Sequence, residues 1–310
     1  MHLAVYLPLL FPALAGLSAG PLARRLEPRL ATWLLTAAGL VLAASSTAVL
    51  GLLALAGLVR IPLVAALKGY SPEVIDRQDP AAWPAALAGA VLLALAVLAA
   101  VRMAARRAGA LWSAALEAAC LPGPGPVVVI DDPGADAYAM PGLPGRIVIS
   151  HGMLDALDAA GHEILLVHER AHLDHHHYAF VSLAQLSAAA NPLLRPLADT
   201  VAYTVERWAD EHAAHHTGDR RAVAETVARA AVAAKRGRGG RHLPAAALGV
   251  LGRRTAPGFV PRRVAALLAP PPQSPPLLLV AAAALLAASS LCALEAARDL
   301  HQFLELAHLR

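Results

Sequence analysis

Apolar positions along the chain gather into runs too long for an ordinary soluble core. A helix needs about 20 apolar residues to cross a bilayer, and four stretches approach or exceed that length, at about 3–19, 30–59, 82–103 and 277–297. The first is short and interrupted by Pro8 and Pro12; the second is long enough to tilt or project; the last follows a proline-rich segment that starts at Pro270. The centres of the last three carry no charge. Between the third and fourth runs the pattern changes. Residues 104–120 read as a helix, and three short β-branched pieces follow at 126–131, 136–140 and 146–150. The last two form a hairpin-like pair around Pro141-Gly142-Leu143-Pro144-Gly145. From His151 onward the period becomes helical, with helices predicted over 162–177, 183–190, 197–216 and 222–234 and a break at Asn191-Pro192. A basic loop, Lys235–Arg241, closes the segment. The expected architecture is a mainly α membrane protein. Three transmembrane helices lie in 1–103, an α+β domain with a small sheet fills 104–276, a fourth span covers 277–297, and 298–310 form a short extracytoplasmic tail.

Composition strengthens this picture. The chain is 57% hydrophobic with a mean hydropathy of +0.54, above the 45–50% of typical soluble domains. The net charge of +4 is carried almost wholly by arginine. These arginines flank the apolar runs, so they read as topology signals and not as a nucleic-acid surface. Arg24, Arg25 and Arg29 lie between the first two runs, and Arg102, Arg106 and Arg107 follow the third. That places the first loop and 104–276 in the cytoplasm, with both termini and the loop around 71–79 outside, although Arg60, Lys68 and Arg77 sit near that second loop. The first run lacks a basic leader, so it is expected to stay as a span and not be cleaved. Trp33, Trp83 and Trp112 read as interfacial anchors. Cys120 and Cys292 form no CxxC pair, which argues against a disulfide framework or a cysteine metal site.

The chemistry concentrates at His168-Glu169-Arg170-Ala171-His172. Histidines at i and i+4 share one helix face and can reach one metal ion, with Glu169 between them as a base for water. Zinc bound this way lowers the pKa of water toward about 7. A catalytic zinc site needs a third protein ligand and an open position. Glu206 is the best candidate, with Asp210 one turn further on to orient a ligand histidine from behind. Alternatively Glu206 and Asp210 belong to a solvated helix face beside Arg207. His175, His176 and His177 read either as exposed histidines or as a second metal site. His212, His215, His216, Tyr203 and Arg207 remain open candidates for stabilising an oxyanion, whereas His151 and His162 read as local structure.

Four blocks now carry a resemblance: Asp136-Ala137-Tyr138-Ala139-Met140-Pro141-Gly142, Arg146-Ile147-Val148-Ile149-Ser150, the His168–His172 motif, and Glu206-Arg207-Trp208-Ala209-Asp210. Together they resemble the M56/M48 group of membrane gluzincin peptidases, which includes a β-lactam-sensor type and a heat-shock type. The layout of three spans before the domain and one after resembles M56 in particular. The resemblance implies a gluzincin-like peptidase domain holding one Zn2+ through His168, His172 and Glu206. Glu169 would be general base and later proton donor, Asp210 a support for the ligands, and Ala137, Tyr138, Ala139 and Met140 a strand that pairs with substrate backbone. It also implies a protein or peptide substrate, with a transcriptional repressor as one form, and a multi-pass location in the inner membrane. The short stretch after the last span gives no support to a penicillin-sensing role. Two rival classes stand beside this reading. A non-catalytic, zinc-stabilised signalling or scaffold protein would show a closed four-ligand site. A metal transporter needs ionisable residues inside the spans, and the centres of the last three lack them.

Overall fold

The computed structural model describes residues 7–58, 82–123, 125–236, 258–271 and 275–308. The loop between the second and third runs, with Arg60, Lys68 and Arg77, and the segment 237–241 of the basic loop lie outside the described residues.

Four helices are long and apolar enough to cross a membrane, judged by length and composition. They are α1 (Leu7–Arg25), α2 (Pro28–Leu58), α3 (Ala82–Cys120) and α10 (Pro276–His308). α1 is described from Leu7 and runs past the expected end at 19 to Arg25, with Pro12 and Pro21 inside it. α3 runs unbroken through the expected boundary at 103/104. Nothing in Met103-Ala104-Ala105-Arg106-Arg107 interrupts a helix, so the third span and the helix expected after it are one element of 39 residues. α10 likewise continues beyond 297 to His308 and takes up most of the expected tail. The outer faces of α3 and α10 are apolar and open, with Leu87, Leu95, Val101, Leu277 and Val280 all more than half exposed. A soluble monomer rarely shows so much contiguous apolar surface.

Three strands follow α3: β1 (Val127–Ile130), β2 (Ala137–Met140) and β3 (Arg146–Ser150). β3 is central, parallel to β1 and antiparallel to β2, and all five of its residues are buried. The expected hairpin of β2 and β3 is present, with Tyr138 opposite Val148 and Ala139 opposite Ile147. The Ser150 hydroxyl fastens it, accepting from the Asp136 and Met153 amides and donating to the Asp136 carbonyl. Beyond the sheet come α4 (His151–Ala156), α5 (Ala159–Asp174), α6 (His177–Ala190), a 3-10 turn (Pro192–Leu194), α7 (Arg195–Thr217), α8 (Arg220–Arg236) and α9 (Phe259–Leu268).

The main apolar core is not confined to this polar-chemistry segment. It joins Ala15, Ala19 and Ala23 of α1 and Leu35, Ala38 and Leu42 of α2 to Phe180 and Ala184 of α6 and Leu197, Val201 and Trp208 of α7. The hairpin of α6 and α7 therefore wedges among the long helices. Small residues let it in. A Cβ on Gly16 would meet the Leu193 carbonyl oxygen at 2.7 Å, and one on Gly39 would meet Leu197 Cδ2 at 3.2 Å. Along α2 the hairpin is held at two heights. The Thr32 hydroxyl donates to Thr204 at 2.9 Å, and Asn191 Nδ2 at the hairpin tip donates to Ser46 at 3.1 Å. At 1.5 Å per residue these anchors lie about 21 Å apart along α2, most of an apolar layer about 30 Å thick.

Candidate metal centre

α5 begins at Asp158, whose carboxylate accepts from the Gly161 amide at 2.8 Å and caps the helix. Ile164, Leu165 and Ala171 bury its flank, so the face bearing His168, Glu169 and His172 turns inward against α7. All three side chains are at most 2% exposed. α7 brings Glu206 and Asp210 to the same place from one of its own faces, four residues apart. The solvated-face alternative for this pair therefore fails, since both are buried.

His168, His172 and Glu206 each offer one ligand atom, and these atoms all lie within 4.8 Å of one another. The Nε2 atoms of the two histidines are 3.3 Å apart. Each lies 3.7 Å from a different oxygen of Glu206. Two ligand atoms about 2.05 Å from one tetrahedral ion stand about 3.3 Å apart, so the spacing suits zinc. The donor set suits it too, since two imidazoles and one carboxylate form a known catalytic zinc set.

Asp210 Oδ1 lies 3.2 Å from His168 Nδ1, which leaves the Nε2 lone pair of that histidine free for a metal. Behind Asp210 stands Arg263 of α9, fully buried. Its Nε donates to Oδ2 at 2.7 Å and its Nη2 to Oδ1 at 2.6 Å. Its Nη1 lies 2.9 Å from Glu206 Oε2, and its charge is felt at Glu169. With both histidines neutral, as metal ligation requires, three buried carboxylates face one guanidinium, a deficit of two positive charges. One divalent ion removes it, and buried charge is costly unless compensated.

Protonation follows from these contacts. Burial works against a charged His168, but the neighbouring carboxylates of Asp210 and Glu206 prevail and lift it to about 9. Burial pushes His172 down to about 3. Burial alone would raise Glu206 and Asp210; the Arg263 guanidinium outweighs it and holds both below the usual carboxylate range.

The other expected residues are distributed as follows. β2, with Ala137, Tyr138, Ala139 and Met140, is an edge strand packed beside α5. Arg207 turns to α1, donating to the Ala23 carbonyl at 3.3 Å. Tyr203 packs edge-on against Phe259 of α9. The ring of His212 meets His175, while His215 and His216 are exposed. His162 binds the Leu154 carbonyl at 2.7 Å, the local role expected of it. Among the described residues, His175–His177 join no second group with metal-ligand spacing.

Sequence reasoning missed Arg263. A signal was present: Val260, Val264 and Leu267 mark the buried stripe of α9, and Arg263 falls within it at helical spacing. An arginine inside an apolar stripe calls for a buried anionic partner.

Fold and site together define a protein whose candidate metal-binding helices pack among long apolar helices. Comparison with known proteins agrees on the class. The model of peptidase family M48 matches residues 103–190, from the middle of α3 to the end of α6. That span holds the sheet, Glu169, His168 and His172, and supports a metallopeptidase of the M48 type. It ends before Glu206, Asp210 and Arg263, which are joined to the site by geometry. No curated protein and no solved structure matches the chain.

Proposed function

We propose that this protein is a multi-pass membrane zinc endopeptidase that cleaves a protein substrate on the cytoplasmic side. The observation that carries the reading is the buried His168/His172/Glu206 cluster with Glu169 between its histidines and Asp210 behind one of them. A zinc ion held there would polarise the scissile carbonyl and acidify a water molecule. Glu169 takes the proton of that water as it attacks, then delivers it to the departing amine nitrogen. Asp210 and Arg263 keep His168 and Glu206 in place throughout. On its edge away from β3, β2 pairs with no other strand among the described residues, so an extended peptide can add there next to α5. The orientation rests on Arg24, Arg25 and Arg29, which lie at the ends of α1 and α2 nearest the metal centre, where Arg29 covers the Trp208 ring. Three long apolar helices precede the centre and one follows, in keeping with the M56-like layout.

The test is a Glu169→Gln variant of the full chain in detergent or lipid. It should retain stoichiometric zinc and lose peptide hydrolysis by at least about a hundredfold. Hydrolysis at the parent rate would refute the mechanism.

A further inference from the structure

The two ligand histidines are held in different ways. His168 has a carboxylate behind it. His172 has another histidine: its Nδ1 lies 2.9 Å from His177 Nδ1. In a continuous helix residues five apart stand about 140° apart around the axis and do not meet. They meet here because the helix breaks. The His175 amide closes α5 on the Ala171 carbonyl, and His176 takes the left-handed conformation, at φ 51° and ψ 41°. Few residue types adopt that conformation readily, and histidine is among those enriched in it. α6 then starts at His177, whose ring turns back under His172 and is fully buried. It packs 4.6 Å, centroid to centroid, from the Trp208 ring.

We infer that His177 is the positioning residue for the metal ligand His172, holding it by a ring-to-ring hydrogen bond. The inference rests on the metal centre described above. With the Nε2 of His172 turned to the metal, its proton sits on Nδ1 and is donated. His177 Nδ1 must then accept, which puts its own proton on Nε2. That Nε2 finds no hydrogen-bond partner among the described residues. The buried ring is engaged at the nitrogen that faces His172. The break at His176 and the buried ring serve the same contact.

The test compares the full-length parent with His177→Asn and His177→Leu. Asparagine puts a carbonyl oxygen where Nδ1 stood; leucine has the same branching and no acceptor. Both lose the same ring, so the difference between them isolates the hydrogen bond. Zinc dissociation constants are measured by chelator competition without substrate, with the visible spectrum of the cobalt-substituted protein as a second readout. The leucine variant should bind zinc about 10–100-fold more weakly and show an altered cobalt spectrum, with the asparagine variant within about threefold of the parent. Parent-like affinity in the leucine variant, or equal losses in both, would overturn the inference. Should the leucine variant not fold, the asparagine variant decides, and a loss of tenfold or more counts against the acceptor role. A parent that binds zinc but cleaves nothing would end the peptidase reading and leave this one standing. A parent that binds no zinc would end both.

Discussion

Arg263 grips Asp210 with two parallel hydrogen bonds, of 2.7 and 2.6 Å, between groups that are both fully or almost fully buried. The contact joins α9 to α7 across 53 residues of chain and makes α9 part of the candidate metal centre. Removing one partner of such a pair leaves an uncompensated buried charge, which costs about 3–5 kcal/mol. Arg263→Met should therefore lower stability by that order, read as the midpoint of chemical unfolding in detergent. Arg263→Lys keeps the charge but not the fork, and should fall between. A methionine variant as stable as the parent would mean that the pair contributes nothing.

Zinc binding should depend on pH through His168. In the metal-free protein this histidine holds its proton up to about 9, because Asp210 and Glu206 overcome the penalty of burial. A metal must displace that proton. Zinc affinity should rise about tenfold per pH unit from near neutrality to pH 9 and then level off. The metal-free protein should show the opposite trend. Its folded His168 value lies above the unfolded one, so the associated stability is complete below about 6.5 and is lost as pH rises toward 9. Chelator-competition titrations and thermal unfolding at pH 6, 7, 8 and 9 check both slopes. A zinc dissociation constant unchanged from pH 6 to 8 would contradict the first.

The wedge of α6 and α7 among the long helices makes a packing prediction. A Cβ on Gly39 would already press on Leu197 Cδ2 at 3.2 Å and Ser187 Oγ at 3.4 Å. Gly39→Leu should force α2 away from the hairpin and cost about 1–3 kcal/mol, as overpacked cores do. Gly51, whose Cβ would meet nothing within 4 Å, serves as the control. Gly51→Leu should leave the unfolding midpoint close to that of the parent. Equal effects at the two sites would argue against the wedge.

What could be read in the sequence, and what could not, divides along physical lines. Helical spacing alone puts His168 with His172 and Glu206 with Asp210, so both pairs were legible, and the fold brought them together as expected. The four apolar runs and the hairpin of β2 and β3 were legible for the same reason, since period and length specify them locally. Three features depend on distant packing. The break at His176 has no glycine or proline to mark it, so the helix was expected to continue through 177. Helical spacing sets Arg263, and not Arg262, in the apolar stripe of α9, but only the docking of α9 supplies its partner Asp210. The 14 residues of α6 are too few for a span, so their apolar character did not reveal that the hairpin packs among the long helices.

The bond between Thr32 and Thr204 reaches further than its size suggests. Thr32 lies in the first turns of a 31-residue helix, about 46 Å long and longer than the apolar layer of a typical bilayer. Such a helix adjusts to bilayer thickness by tilting. Thr204 is two residues from Glu206 on the same helix, so in the proposed membrane setting a tilt of α2 would pull on the backbone that carries the proposed third ligand. Lipid chain length would then set how firmly the carboxylate meets the ion, and turnover in thin and thick vesicles would differ with no change in the protein.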